Sequence, residues 1–552
     1  MERVGVLNII LSFTFLLATQ GLSEDLPCAA RDVGIEGRSI VCVCNATYCD
    51  TIYREAVPPG TYFMYTSSNA GKRFEKSSGV IEVAEESFDD DETGADIISD
   101  FKNFPAYDDE DDDFQETIWN RVVLRLFTII RSQFLEGFGG SVTDAAAINW
   151  RKLSDPTQRE FIRSYFSTDG LEYNLIRVPI GGADFSTHPY TYNELPWNDG
   201  ALSNFSLSDE DFFFKLPMIK LAQEAAPEEI KITASTWSPP IWMKTNERIT
   251  GFGQVKPEFY QSYADYHIRF IEEYEKAEVK IWAITTTNEP INGIVPIVNF
   301  NSLGWTPAQL GRWVANNLGP TVRNSKFNQT LILAVDDQRY IIPIWLRGME
   351  SADPRSIEYI DGIAIHYYGN FVPPDILSRI HHRYPGKILL STEACEGPMP
   401  WDLLKVEVGS WARARRYTRN ILEDLNNYVV GWIDWNLCLD PEGGPNWAEN
   451  FVDAPILVYE ENDEFIKQPM FYAMGHFSKF IPRGSRVIRA ARRSLATLEN
   501  IAVLTPRDTI VMVIQNRYTS ERSVRINIDN TRFIRFRMEP ESIKTIEINP
   551  NS

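Results

Sequence analysis

Two glutamates end apolar stretches of this chain in positions where a carboxyl group could do chemistry. Glu289 lies in "WAITTTNEP", where Ile284, Thr285, Thr286 and Thr287 favour an extended strand and Pro290 cannot continue its hydrogen-bond ladder. Glu393 lies in "KILLSTEACEG", at the end of a second such run. Held at a strand tip, a carboxyl is either a solvated loop residue or a reacting group, and one alone does not decide. Two on one rim can flank a single glycosidic bond, because that reaction needs one carboxylate to attack and one carboxylic acid to protonate the departing oxygen.

The elements that must position them recur along the chain. Between Phe134 and Trp435 there are eight short apolar runs: "FLEGFGG", "NLIRVPI", "IKITAS", "KIWAITT", "LILAV", "GIAIHYY", "KILLST" and "VVGWIDW". Most are followed by polar or glycine-rich turns and a helix-like stretch. Continuous apolarity suits strands buried on both faces, and alternation with helices suits a parallel sheet. Eight such units fit a (β/α)8 barrel, although a doubly wound sheet could also hold eight strands. On a barrel, chemistry belongs at the C-terminal strand ends, and the fourth and seventh runs would present Glu289 and Glu393 across the mouth. After Ile488 the pattern changes to short alternating strands separated by Asn, Asp, Pro and Arg, which read as an antiparallel sandwich. "GTYFMYTSS" and "GVIEVAEES", ahead of the barrel, look alike, so the sandwich would draw strands from both ends of the chain.

Composition narrows the function classes. At 552 residues, with 43% hydrophobic and 12% aromatic content, the chain can fill a large core and exceeds one ordinary domain. The stretch from Met1 to about Ser23 has one Arg, an apolar run and small residues beyond it, and reads as a secretion signal. No later run approaches the ~18 apolar residues of a spanning helix, so no transmembrane segment is expected. Cys28, Cys42, Cys44 and Cys49 crowd the mature N-terminus, where a secreted chain favours two disulfides over a zinc site; Cys395 and Cys438 read as free. The sequons at Asn45, Asn204 and Asn328 are compatible with glycosylation. Of the net charge of −22, the segment from Glu82 to Glu116 carries −15, sixteen acids against Lys102, which leaves −7 for everything else. This insert, about 85–116, reads as a solvated, disordered excursion or an acidic docking arm, and nucleic acid is not an expected partner. Six scattered His, without HExxH or a P-loop, give no reason to expect a metal or cofactor.

The chain resembles the lysosomal acid β-glucosidase (glucosylceramidase) group of glycoside hydrolase family 30. The resemblance runs from "VCVCNATYCD" through "GFGGSVTDAAA", "YNLIRVP", "TNEP", "DDQR", "STEAC" and "VVGWIDWNLCLDPEGGPNW" to "KQPMFYAMGHFSKFIP". It implies a (β/α)8 barrel at 137–435 plus 469–485, an immunoglobulin-like β-sandwich at 53–136 plus 486–552, and a small disulfide-linked β-sheet at 24–52 plus 436–468. It also implies retaining hydrolysis of a glucoside, with Glu289 as acid/base and Glu393 as nucleophile. Asp184, Trp237, Asn288, Trp435 and Asn450 would contact the sugar, with Phe300 and Gln338 on the rim. Arg177 would hold the nucleophile charged, and His366 and Tyr368 would orient the glutamates. The implied substrate is glucosylceramide in a lysosomal membrane, with anionic phospholipid and a saposin-like activator as partners. Another β-glucoside, such as a steryl glucoside, or a catalytically silent glycolipid-binding role are the alternatives. Thr287, Tyr367, Val298, Ala183 and Ser302 depart from the family pattern, where Glu, Trp, Tyr and two Cys are expected, and these departures bear on the aglycone side of the cleft.

Overall fold

The computed structural model describes residues 25–84, 121–295, 298–399, 401–492 and 498–551. The expected signal and the acidic insert lie outside the described residues.

The eight apolar runs form one closed parallel barrel. Its strands are β1 (Gly137–Ser141), β2 (Leu175–Ile180), β3 (Lys231–Thr236), β4 (Ile281–Thr285), β5 (Leu331–Gln338), β6 (Gly362–His366), β7 (Ile388–Glu393) and β8 (Val429–Asn436). Each pairs with its sequence neighbours and β8 closes on β1. Glycines replace branched residues in β1 because the strands approach closely there: a Cβ on Gly139 would lie 1.8 Å from the Leu175 carbonyl oxygen. Leu175, Ala283, Leu333, Ala364, Leu390, Val430 and Ile433 cluster together, so the barrel interior is packed and a cleft can open only toward one end.

The remaining strands form two further sheets. A ten-stranded sheet combines Thr61–Ser68, Glu75–Val80 and Glu82–Val83 with Arg121–Phe134 and six strands from Arg486 to Ile548. Val122, Leu124, Met512, Ile514, Ile526 and Ile546 fill its own core. This sandwich is not wholly antiparallel as expected, since Arg121–Phe134 runs parallel to Arg522–Asn527. A parallel pair needs a long crossover, and nearly the whole barrel lies between these two strands in the chain. The third, small sheet pairs Ala30–Arg31, Val41–Asn45, Glu464–Lys467 and Ile456–Tyr459. The Cys28–Cys42 and Cys44–Cys49 disulfides staple it, and Cys395 and Cys438 are free and buried. Among the described residues no helix is long and apolar enough to cross a membrane. Asn204 and Asn328 are exposed, and Asn45 is half-buried at a strand end.

Candidate active site

Glu393 is the last residue of β7, and Glu289 stands four residues beyond β4. Between them the backbone is pinned to both flanking strands. Asn288 donates its N–H to the Thr236 carbonyl at 2.9 Å and Glu289 donates its own to the Asp336 carbonyl at 3.0 Å. Glu289 takes a left-handed conformation, φ 41°, which an L-residue adopts at a cost of about 1–3 kcal/mol and which persists only where the surroundings hold it. The abrupt end of "TTNEP" is therefore a hook that aims a carboxyl at the barrel axis. An oxygen of Glu289, an oxygen of Glu393 and a nitrogen of His366 all lie within 4.8 Å of one another.

The two carboxyls differ in their partners. Glu393, 6% exposed, accepts from the Arg177 guanidinium on one oxygen and from the Tyr368 hydroxyl at 2.9 Å on the other. Burial, together with the charge of Glu289, raises its carboxyl above the ordinary glutamate range despite the opposing pull of His366 and Arg177. Glu289 accepts from the Gln338 amide at 2.9 Å, from His366 Nδ1 at 3.1 Å and from the Asn292 amide.

Beneath the pair lies an ionic hub around Asp336, which is fully buried. It accepts from Arg177 at 2.7 Å, Ser235 at 2.7 Å, His366 Nε2 at 3.0 Å and Thr392 at 2.6 Å. Burial alone would raise its carboxyl, but Arg177 and the hydrogen bonds hold it far below the usual aspartate range. Burial likewise opposes the charge on His366, yet Glu393 and the bonds to Asp336 and Glu289 push this imidazole up to about 10. His366 is thus placed as an imidazolium that donates from both nitrogens. A second cluster of metal-binding residue types, Cys44, Cys49 and Asp50, has its sulfurs committed to a disulfide.

The sugar-binding candidates gather beside this centre. Trp237 and Trp435 stack with ring centroids 5.1 Å apart, and the Arg177 guanidinium sits 4.8 Å and 5.3 Å from their rings. Phe300 and Tyr368 pack against the same cluster. Asp184 accepts from the Asn450 amide at 3.1 Å, and Asn288 accepts from Arg177 at 2.9 Å. Burial and the charge of Glu393 push the Asp184 carboxyl up to about 7, so in acid it is a hydrogen-bond donor. Cys395 lies 3.2 Å from the Tyr368 hydroxyl, and burial keeps it a thiol rather than a second nucleophile.

Comparison with known proteins shows the family. Residues 135–481 match the glycosyl hydrolase family 30 TIM-barrel domain and residues 484–546 its β-sandwich domain. The chain belongs to glycosyl hydrolase family 30. This family 30 chain is 39% identical over 515 residues to lysosomal acid glucosylceramidase of Mus musculus, covering 92% of this chain and 93% of that one. It is 37% identical to putative glucosylceramidase 3 of Caenorhabditis elegans, covering 92% of each. Its fold superposes on SrfJ from Salmonella typhimurium with a TM-score of 0.75 at 24% identity, over 89% of this chain and all of that one.

Some residues of this family 30 enzyme's site escaped the sequence reading. Asp336, Asp337, Asn292, Ser235 and Thr392 were not among the candidates, though "DDQR" supplied two of them. The strand-tip logic that singled out the glutamates applies equally to an acid at the C-terminal end of β5. Tyr367 was noted only as a departure, but its hydroxyl donates to buried Glu396 at 2.6 Å, and Arg416 grips the same carboxylate.

Proposed function

We propose that the enzyme is a retaining β-glucosidase that hydrolyses glucosylceramide to glucose and ceramide. The observation that carries the mechanism is the approach of Glu289 and Glu393 to within 4.8 Å. Retaining glycosidases hold their carboxyls about 5–5.5 Å apart, whereas inverting ones leave room for an intervening water.

Charge balance gives each carboxyl its role. Arg177 and His366 contribute two positive charges to the buried centre, and Asp336 and Glu393 two negative ones, so the resting site is neutral when Glu289 carries a proton. Glu393 then attacks the anomeric carbon as a carboxylate, the C–O bond to the aglycone breaks, and Glu289 gives its proton to the leaving oxygen. Esterified Glu393 has lost its charge, and Glu289 has gained one, so the centre is again neutral. In the second half Glu289 takes a proton from water, the hydroxide attacks the anomeric carbon and Glu393 departs as a carboxylate. Two inversions restore the β-configuration. Through both steps the Trp237 and Trp435 faces offer packing to the sugar C–H groups, while Asp184, Asn288 and Asn450 offer hydrogen bonds to its hydroxyls.

Two observations support a lipid aglycone. The relatives at 39% and 37% identity are named glucosylceramidases. The segments after β5, β6 and β7, on the side of the barrel that carries the glutamates, also expose Tyr340, Phe371, Trp401, Leu403 and Leu404, with Ile344 in the first turn of the helix Ile342–Ala352. Phe371 is 80% and Leu403 96% exposed, an apolar rim suited to acyl chains or a bilayer surface. Action at the lumenal face of the lysosomal membrane, aided by anionic phospholipid and a saposin-like activator, completes this reading.

Incubation with a 2-fluoro β-glucoside inactivator followed by peptide mass spectrometry tests the mechanism. The label is expected on Glu393 in the peptide containing "STEAC"; labelling elsewhere, or none, removes the nucleophile assignment. Ceramide release from glucosylceramide vesicles tests the substrate separately.

A further inference from the structure

A charged cavity of about 260 Å³ opens between the helix Trp411–Leu425 and the sandwich strands Glu499–Leu504 and Ile510–Asn516. Arg415, Arg416, Arg419, Glu499, Gln515 and Arg517 line it. Arg415 and Arg419 lie one turn apart on the helix, and Glu499 and Gln515 are direct cross-strand partners, so both pairs turn toward one space. Four guanidiniums thus share the cavity with one lining carboxylate, Glu499, which Arg419 also approaches at 3.8 Å. Arg416 and Arg419 hold Glu396 at 2.6 Å and Glu423 at 2.8 Å, whereas Arg517 reaches Glu499 at 3.5 Å and Arg415 reaches Glu541 only at 4.0 Å.

The opposite wall has the reverse need. Gln515 is 1% exposed and donates its amide to the Arg415 carbonyl at 3.3 Å, but its Oε1 has no hydrogen-bond partner. Glu499 Oε2 is also buried without one. Buried acceptors left unmet are unfavourable, and neither can be met by an anion without a donor hydrogen, such as sulfate. A ligand for this cavity must bring anionic oxygens to the guanidinium forks and its own N–H or O–H donors to Gln515 and Glu499.

We propose that this cleft binds a phosphate group bearing an adjacent ammonium or hydroxyl, the chemistry of phosphoserine or a polyol phosphate. Planar guanidiniums match phosphate oxygens in bidentate geometry, and the donor end pairs with the two acceptors. The same chemistry is offered by a free solute and by a lipid headgroup.

Calorimetric titration of the full chain with O-phosphoserine and with inorganic sulfate, in a buffer free of phosphate and sulfate, tests this directly. Saturable binding is expected, with phosphoserine the tighter ligand. Arg419→Gln with Arg517→Gln should weaken both by about ten-fold or more, as loss of charge-assisted bonds does. Gln515→Leu should lower phosphoserine affinity toward that of sulfate. Hydrolysis of a soluble aryl glucoside reports that each variant is folded, and Arg415→Gln replaces any that is not. Cosedimentation with phosphatidylcholine vesicles, with and without phosphatidylserine, separates the sources: a loss in the same variants assigns the lipid headgroup, and a loss confined to the soluble probe assigns a free solute. Absence of saturable binding to every probe, or binding indifferent to all these substitutions, overturns the proposal.

Discussion

Arg177 divides its terminal nitrogens between Glu393 and Asp336, so the candidate nucleophile and a fully buried aspartate share one cation. Asp336 also holds His366, the other positive group of the centre. The three residues are therefore a unit. Removing the aspartate charge leaves two buried cations facing fewer anions.

Asp336→Asn is accordingly expected to cost about 3–5 kcal/mol of stability, the range for breaking a buried ion pair by removing one partner. Urea unfolding of wild type and variant at neutral pH measures it. The folded-state carboxyl lies far below its unfolded value, so its contribution is complete above about pH 4 and is lost only as pH falls toward the folded value. The gap between the two proteins should be flat from that pH up to about 6.5, above which the raised titration of His366 enters, and should narrow in stronger acid. A gap that widens on acidification would contradict the ionised state of Asp336.

The acid limb of the pH–rate profile reports the nucleophile. Glu393 must be ionised to attack, and burial raises its carboxyl, so kcat/KM should begin to fall at a pH above the ordinary glutamate value of 4.5. Tyr368 donates to the charged form at 2.9 Å. Tyr368→Phe removes that donor and should move the limb upward by about one unit, the equivalent of one charge-assisted hydrogen bond. An unmoved or lowered limb would detach the limb from Glu393.

The glutamates are separable by leaving group. Without its proton donor, the first step must expel the aglycone as an anion, which a nitrophenolate tolerates and an alkoxide does not. Glu289→Gln should therefore slow an alkyl glucoside by about 10²–10⁴-fold while formation of the glycosyl-enzyme from a dinitrophenyl glucoside is much less affected. Glu393→Gln should abolish turnover of both. Equal losses on both substrates in the Glu289 variant would deny it the acid role.

The barrel was legible because its strands are buried on both faces and so carry an uninterrupted apolar signal in every unit. Glu289 and Glu393 were legible only as a pair, because either alone at a strand tip reads as a solvated loop residue while two on one rim suit a single glycosidic bond. The same logic marks an acid at the end of β5, but that both Asp336 and Asp337 turn inward is not legible, for a physical reason. Strict alternation would send adjacent residues to opposite faces, but β5 shifts register between Val335 and Asp337, with Val335 at φ 76° and Asp336 at φ 53°, and both aspartates end fully buried. A bulge of this kind leaves no composition signature. Asn292 was invisible for another reason, since its contact with Glu289 depends on the short helix Asn292–Ile294 folding back under the hook. The parallel strand pair in the sandwich joins residues some 400 positions apart, beyond any local pattern.

The apolar rim distinguishes a lipid substrate from a soluble one. Trp401, Leu403 and Leu404 follow β7, and Phe371, which follows β6, packs near Tyr340 with ring centroids 5.6 Å apart, so these exposed side chains leave the strand ends that carry the glutamates. Burying an exposed Leu or Phe against acyl chains stabilises a complex by about 1.5–3 kcal/mol each, while substitution by Ser at such exposed positions leaves the fold nearly untouched. Leu403→Ser with Phe371→Ser should thus lower turnover of glucosylceramide in anionic vesicles by about ten-fold or more, with kcat and KM on a soluble aryl glucoside unchanged. If both substrates are hydrolysed at wild-type rates, the rim does not handle lipid, and a soluble β-glucoside becomes the better assignment for the same pair of glutamates.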